Sequence, residues 1–150
     1  MRIISGNFKG RKLIEPIDKK TRPLKDLTKE SIFNILEHSN LVKTKLNNSK
    51  VLDLFAGTGS FGLECIARRS SNVTFVENYP DASDVLKKNI EKFNCEDKSI
   101  VINEDVSNGD IETKLIDKKF DIIFLVPPYK TENFINLLNK IIDIKLLNKN

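Results

Sequence analysis

Residues 51–62 (VLDLFAGTGSFG) constrain this chain more than any other stretch. Residues 50–55 (KVLDLF) read as a short apolar strand, Gly57 and Gly59 as a turn, and the helix is expected to start at Ser60. A strand that passes through a glycine turn directly into a helix opens a right-handed βαβ unit. The following sequence repeats that alternation. Residues 72–77 (NVTFVE), 99–103 (SIVIN) and 120–125 (FDIIFL) have strand character, and helices are expected over 60–69, 81–93, 110–116 and 131–146. Strands alternating with helices predict an α/β fold with a parallel sheet.

Ahead of this unit the chain has a different character. Residues 2–5 and 8–15 flank Gly6 and Asn7, which predicts a small hairpin. Residues 21–23 (TRP) form an extended break. From Asp26, read as an N-cap, to His38 the apolar residues Leu27, Ile32, Phe33, Ile35 and Leu36 fall at helical spacing, and residues 39–49 read as a polar linker. The organisation expected is a basic hairpin-helix extension over 1–48 and a Rossmann-like core over 49–150.

Charge divides at the same place. Residues 1–50 carry 12 Lys/Arg against 5 Asp/Glu, a net +7, whereas residues 51–150 carry 13 against 16, a net −3. A basic front end on a mildly acidic body suits contact with a polyanion, although lysine-rich segments also serve as solvated faces. No apolar run approaches the roughly 18–20 residues of a membrane span. The basic N-terminus lacks the apolar stretch of a secretory signal. Cys65 and Cys95 stand alone without CxxC spacing, so they read as buried thiols in a cytoplasmic protein, with no metal expected.

Residues 57–62 satisfy GxGxxG, so a dinucleotide has to be weighed. Asp53 argues against it, because a carboxylate at the mouth of the turn repels a pyrophosphate. The methionine end of S-adenosylmethionine carries an ammonium and a sulfonium, which a carboxylate suits. Glu77 closes the second strand about 20 residues after Gly57, where an acidic side chain can bind both ribose hydroxyls. Just past the third strand, Glu104, Asp105 and Val106 lie where a side chain could accept from an adenine amine; a solvated loop acid is the alternative.

Residues 124–129 (FLVPPY) follow the fourth strand. The Pro127-Pro128-Tyr129 turn resembles the (Asp/Asn)-Pro-Pro-(Tyr/Phe) motif of methyltransferases acting on exocyclic amines. In that motif the first side chain and a proline carbonyl accept from the target NH2, and the aromatic ring stacks on an extruded base. Here the first position is Val126, which cannot accept a hydrogen bond.

With both motifs in place the chain resembles the bacterial RsmD family, which methylates the guanine-N2 amine in 16S ribosomal RNA. The resemblance runs through residues 2–13 (RIISGNFKGRKL), 21–23 (TRP), 29–36 (KESIFNIL), 52–62, 75–77 (FVE) and 127–129 (PPY). It implies that Asp53, Phe55, Ala56, Gly57, Gly59, Glu77, Asn78, Asp105 and Val106 hold S-adenosylmethionine. It further implies that Arg2, Lys9, Arg11, Lys12 and Arg22 face RNA phosphates, and that Val126, Pro127, Pro128 and Tyr129 meet the target base. Family members continue through three more strands beyond the region matched, so the sheet expected here is the partial one ordered 3-2-1-4, with an apolar fourth strand at an open edge. Two rivals accompany this reading: a relative that binds cofactor and RNA without efficient turnover, and an amine methyltransferase acting on DNA or protein.

Overall fold

The computed structural model describes residues 1–17, 24–40, 42–107, 110–127 and 134–148. Its four strands are β1 (Lys50–Asp53), β2 (Asn72–Val76), β3 (Ser99–Ile102) and β4 (Ile122–Phe124), all parallel and ordered β3-β2-β1-β4. Five helices accompany them: α1 (Asp26–His38), α2 (Ser60–Ala67), α3 (Pro80–Phe93), α4 (Asp110–Leu115) and α5 (Phe134–Asp143). The expected alternation and strand order are both present. Each strand is one to three residues shorter than its apolar run, because the runs extend past the paired residues into the flanking loops.

Strand order dictates the layering. The steps β1 to β2 to β3 move in one direction, so right-handed crossovers put α2 and α3 on one face of the sheet. The return to β4 beyond β1 reverses direction and puts α4 on the other face. Burial follows this alternation. Val51, Val73 and Phe75 pack with Leu63, Leu86 and Ile90, while Leu52, Leu54 and Val76 pack with Ile111, Leu115, Leu137 and Ile141. Gly62 on α2 lets helix and sheet approach closely. A Cβ there would stand 2.2 Å from a ring carbon of Phe75 and 2.8 Å from Val73.

The N-terminal segment packs into the same core through Ile3, Leu13 and Phe33, but its pairing departs from expectation. The hairpin is reduced to one antiparallel bridge, Arg2 to Lys12, flanked by Ile3 N–H to the Arg11 carbonyl (3.0 Å) and Leu13 N–H to the Met1 carbonyl (3.1 Å). The connection is a 3-10 turn at Gly6–Phe8 rather than a tight Gly-Asn turn. The amides of Ile4 and Ser5 donate to the Glu64 carboxylate, so they are lost to cross-strand pairing.

In α1 the expected helix is present, but Asp26 is its first residue and Lys25 its N-cap. Leu27 and Ile35, two of the apolar residues at helical spacing, are 76% and 57% exposed, whereas Lys29 is wholly buried. The buried stripe runs through Lys29, Ile32, Phe33 and Leu36, and a cation stands where apolar periodicity alone would place a hydrocarbon. The outer flank of β4 is also less open than expected. Leu147 bridges in parallel to Phe120, with Phe120 N–H donating to the Leu146 carbonyl and Asn148 N–H to the Phe120 carbonyl, each at 2.8 Å. Among the described residues no helix is long and apolar enough to cross a membrane.

The contact at Gly62 yields a stability test. Gly62→Ala should destabilise the fold by about 1–3 kcal/mol, the usual cost of overpacking a tight core. Urea unfolding should show a lower midpoint at an unchanged slope; an unaltered midpoint would mean that helix and sheet have room to spare.

Candidate cofactor site

Strands β1 and β4 are neighbours without being consecutive, so the loops leaving their carboxyl ends diverge to opposite faces and a crevice opens between them. A cleft of about 110 Å³ lies there. Asp53, Phe55, Ala56, Gly57, Thr58, Ser60 and Phe61 line it from β1 and its turn, Phe124 and Val126 from the end of β4, and Leu24 from the approach to α1. Phe61 stacks on Phe124 with ring centroids 3.6 Å apart, and this pair forms an aromatic wall across the switch point.

Asp53 dominates the chemistry. It is the last residue of β1, paired to Phe75 on one side and Phe124 on the other. It is 1% exposed, and neither carboxylate oxygen has a hydrogen-bond partner. Burial above all, with a smaller push from the nearby Glu77 carboxylate, raises its pKa from the ordinary 3.8 to about 7. The backbone N–H groups of Gly62 and Phe55 offset this only in part, since neither reaches hydrogen-bond geometry. An uncompensated buried carboxylate is costly unless a cation or donor completes it. Its position on the wall of a cleft therefore points to a positively charged ligand group.

The turn beyond Asp53 takes the conformation that its glycines permit. Gly57 and Gly59 have φ of +55° and +83°. A Cβ on Gly57 would meet nothing within 4 Å, so this glycine leaves the cleft open, whereas one on Gly59 would stand 2.5 Å from Leu86. Gly59 thus serves the packing of the turn, and Gly57 the space beside it. Glu77, just past β2, fixes the turn: its Oε2 accepts from Gly57 N–H at 2.6 Å and its Oε1 from Tyr79 N–H at 2.8 Å. A carboxylate has about four acceptor sites, so two remain for hydroxyls.

The other expected residues are more dispersed. Asn78 is exposed beside Glu77. Asp105 is half-buried and its Oδ1 accepts from Ser107 N–H at 2.7 Å, a local turn that holds its loop. Val106 is buried in the apolar cluster with Ile111 and Leu115, so its side chain belongs to the core below the sheet. Val126 lines the cleft and is 49% exposed, and Pro127 beside it is half-buried. Pro128, Tyr129 and Arg22 lie outside the described residues. Arg2, Lys9, Arg11 and Lys12 are all exposed on the N-terminal segment. The Arg11 guanidinium sits over the Phe93 ring at 4.4 Å and donates to the Lys92 carbonyl, while Lys92 Nζ donates to the Lys12 carbonyl at 2.7 Å. Lys92 of α3 therefore joins this basic surface, which sequence spacing could not show.

Sequence reasoning also missed Ser60 and Phe61 as cleft residues, although both lie inside the motif. It missed the buried ion cluster beneath them as well. Glu64 is fully buried on α2, pairs with Lys29 Nζ at 3.6 Å and Arg68 Nε at 2.9 Å, and accepts the Ile4 and Ser5 amides. A buried Lys on a helix carries no sequence signal until its partner is known.

The family described as Conserved hypothetical protein 95 matches residues 1–150. The chain belongs to this family. Its relatives include the protein named Ribosomal RNA small subunit methyltransferase D in several bacteria, which agrees with the RsmD resemblance read from the sequence. The Haemophilus influenzae protein is 33% identical over 129 residues, covering 86% of this chain and 64% of its own length. That of Buchnera aphidicola from Acyrthosiphon pisum is 34% identical over 148 residues, covering 99% and 73%. The chain thus spans about two thirds to three quarters of the length of these relatives. Among solved structures, the Thermus thermophilus hypothetical protein TTHA0928 superposes with a TM-score of 0.78 at 25% identity, covering 99% of this chain and 80% of that one. A Podospora anserina methyltransferase solved with bound S-adenosylhomocysteine shares the fold, with a TM-score of 0.57 at 19% identity over 66% of this chain and 42% of that one. The architecture is that of the S-adenosylmethionine-dependent methyltransferases.

Asp53 makes the site testable without any ligand. Its raised folded pKa means that Asp53's own contribution to stability is fully present below the unfolded value of about 3.9 and is lost as pH rises through about 7. Asp53→Asn removes that loss. The variant should match the parent near pH 4 and exceed it at pH 8 by on the order of 2–4 kcal/mol, read from urea midpoints at the two pH values. A constant difference between the two would show that Asp53 does not titrate in this range.

Proposed function

We propose that this chain is an S-adenosylmethionine-dependent methyltransferase that acts on small-subunit ribosomal RNA in the cytoplasm, with the exocyclic amine of a guanine as acceptor. The observation that carries the reading is the unpartnered Asp53 carboxylate on the wall of the cleft. Its charge and burial fit the ammonium at the methionine end of the cofactor. A pyrophosphate at the same place would be repelled. Glu77 has acceptor sites left for ribose hydroxyls, and Gly57 leaves room beside them. Phe55 and Ala56 shape this wall and Gly59 packs the turn behind it. Asn78 and Asp105 are assigned to the rim on the resemblance alone, and Val106, its side chain buried in the core, would contribute only its backbone. The bound cofactor supplies a methyl group on a sulfonium, and the protein's work is to orient the attacking amine towards it.

The RNA assignment draws on the names of the relatives and on the exposed basic residues of the N-terminal segment. Arg2, Lys9, Arg11 and Lys12 would neutralise phosphates, with Arg22 added by the resemblance. Residues 1–48 then form the RNA-facing part and 49–150 the catalytic core. At the acceptor side the Pro127 carbonyl would take one amine hydrogen and Tyr129 would stack on the base. Val126 stands beside the cleft, where the family motif has an acceptor. That single observation favours a second reading, a relative that binds both partners with little turnover.

One experiment separates these readings: methyl transfer to ribosomal RNA and to DNA, with S-adenosylhomocysteine affinity measured alongside. Loss of one preorganised acceptor typically costs about 10²–10³ in rate. Slow transfer to RNA is therefore expected, and Val126→Asp should raise the single-turnover rate at least about tenfold. A folded Asp variant that binds cofactor and RNA but transfers no faster would remove position 126 from the reaction, and binding of NADH in place of S-adenosylhomocysteine would overturn the whole proposal.

The basic segment has its own test. Replacing Lys9, Arg11 and Lys12 together should flatten the salt dependence of RNA binding by roughly 0.7–0.9 per lost phosphate contact. An unchanged slope in a salt titration would leave these side chains as a solvated face.

A further inference from the structure

The glycine turn is held to the N-terminal segment at two points by buried side chains. On one side Lys29, wholly buried, donates from Nζ to the Arg2 carbonyl at 2.7 Å and to Ser60 Oγ at 3.1 Å. Ser60 is the first residue of α2 and lines the cleft beside Asp53. On the other side Asn89 of α3, also wholly buried, accepts from Ile14 N–H at 2.7 Å. It donates to the Ile14 carbonyl at 3.1 Å and to the Thr58 carbonyl at 3.0 Å. Residues 58–60 of the turn and residues 2–14 of the basic segment are thus joined through single side chains on both flanks.

From this juxtaposition we propose that Lys29 and Asn89 are positioning residues that couple RNA binding on the N-terminal segment to the methyl-donor turn, so that each ligand tightens the other. The proposal rests on the function proposed above. Arg2 is where the two events meet. Its exposed guanidinium lies 3.7 Å from Asp26, while its carbonyl is the acceptor of Lys29. A phosphate that draws the guanidinium from Asp26 acts on the same residue whose backbone Lys29 holds. Lys29 has little freedom to answer by moving alone. Its third interaction is the ion pair with buried Glu64, which in turn binds the Ile4 and Ser5 amides. A shift of the segment is therefore passed to Ser60 and Thr58. Burial pulls the Lys29 ammonium below its ordinary pKa, while Glu64 and Asp26 hold it up. Ser60 accepts from this cation and keeps its own proton to donate, and accepting from a charged donor strengthens that donation.

Coupling between binding sites is reciprocal, so it can be measured from either ligand. The test is the affinity for S-adenosylhomocysteine with and without saturating 16S ribosomal RNA transcript, in the parent, Lys29→Met, Lys29→Arg and Asn89→Ala. The parent should bind S-adenosylhomocysteine at least about fivefold tighter with RNA present. Lys29→Met and Asn89→Ala should bring that ratio close to one, and Lys29→Arg, which keeps a charged donor, should restore most of it. A purely structural role would lower the melting temperature and leave the ratio intact. If Lys29→Met does not fold, Ser60→Ala severs the same link and leaves the buried ion pair whole, and the ratio should fall there too. A parent that binds both ligands independently, or variants that fold and keep the full ratio, would overturn the coupling while leaving the proposed function standing. A parent that binds neither S-adenosylhomocysteine nor RNA would overturn the proposed function, and the coupling with it.

Discussion

Strand β1 is hydrogen-bonded in parallel on both flanks, to β2 and to β4, and that double pairing fixes where its last residue can stand. Asp53 is held between Phe75 and Phe124 at the sheet's carboxyl edge, at the place where the direction of strand addition reverses. At 1% exposure its carboxylate is withdrawn from bulk water, and neither oxygen has a protein partner. The glycine turn, the Glu77 clamp on Gly57 and the aromatic pair Phe61–Phe124 are arranged around that one carboxylate. Proteins keep such costly groups where binding needs them, at the expense of the ligand-free fold.

A second buried carboxylate plays the opposite part. Glu64 is as deeply enclosed as Asp53, yet Lys29, Arg68 and two backbone amides satisfy it. Paired in this way it is an anchor, and what it anchors is the basic N-terminal segment. The two acids share the same burial and differ in their partners: Glu64 is satisfied within the fold, and Asp53 is not. The pairing of Glu64 also explains why the expected hairpin is so short. Backbone donors that would have extended the ladder are engaged by Glu64.

Much of the architecture was legible in the residues themselves. The run from Val51 to Gly62 announces a strand, a turn needing positive φ and a helix, because glycine alone takes those dihedrals without strain. Strand–helix alternation then implies a parallel sheet, and the order 3-2-1-4 came from the family resemblance. The acidic side chains Asp53 and Glu77 could be placed at the ends of the first two strands from the sequence alone. Less was legible in α1, where the apolar residues at helical spacing include the exposed Leu27 and Ile35 and pass over the buried Lys29. Helical periodicity reports which residues share a face, and a buried cation enters that face only when a distant residue supplies its partner.

The division between sequence and tertiary structure follows from the range of the interactions concerned. Turn dihedrals, strand propensity and the sign of each side chain are local properties, so the chain by itself determined the βαβ pattern, the acidic strand ends and the basic front. Partnership is not local. Whether a buried carboxylate is paired, as Glu64 is with Ile4 across 60 residues of chain, or unpaired, as Asp53 is, depends on which segments the fold brings together. The link from Ile14 through Asn89 to Thr58 likewise joins residues far apart in the chain. Only packing decided these, because burial turns a hydrogen bond that water would replace at little cost into one that the protein has to supply itself.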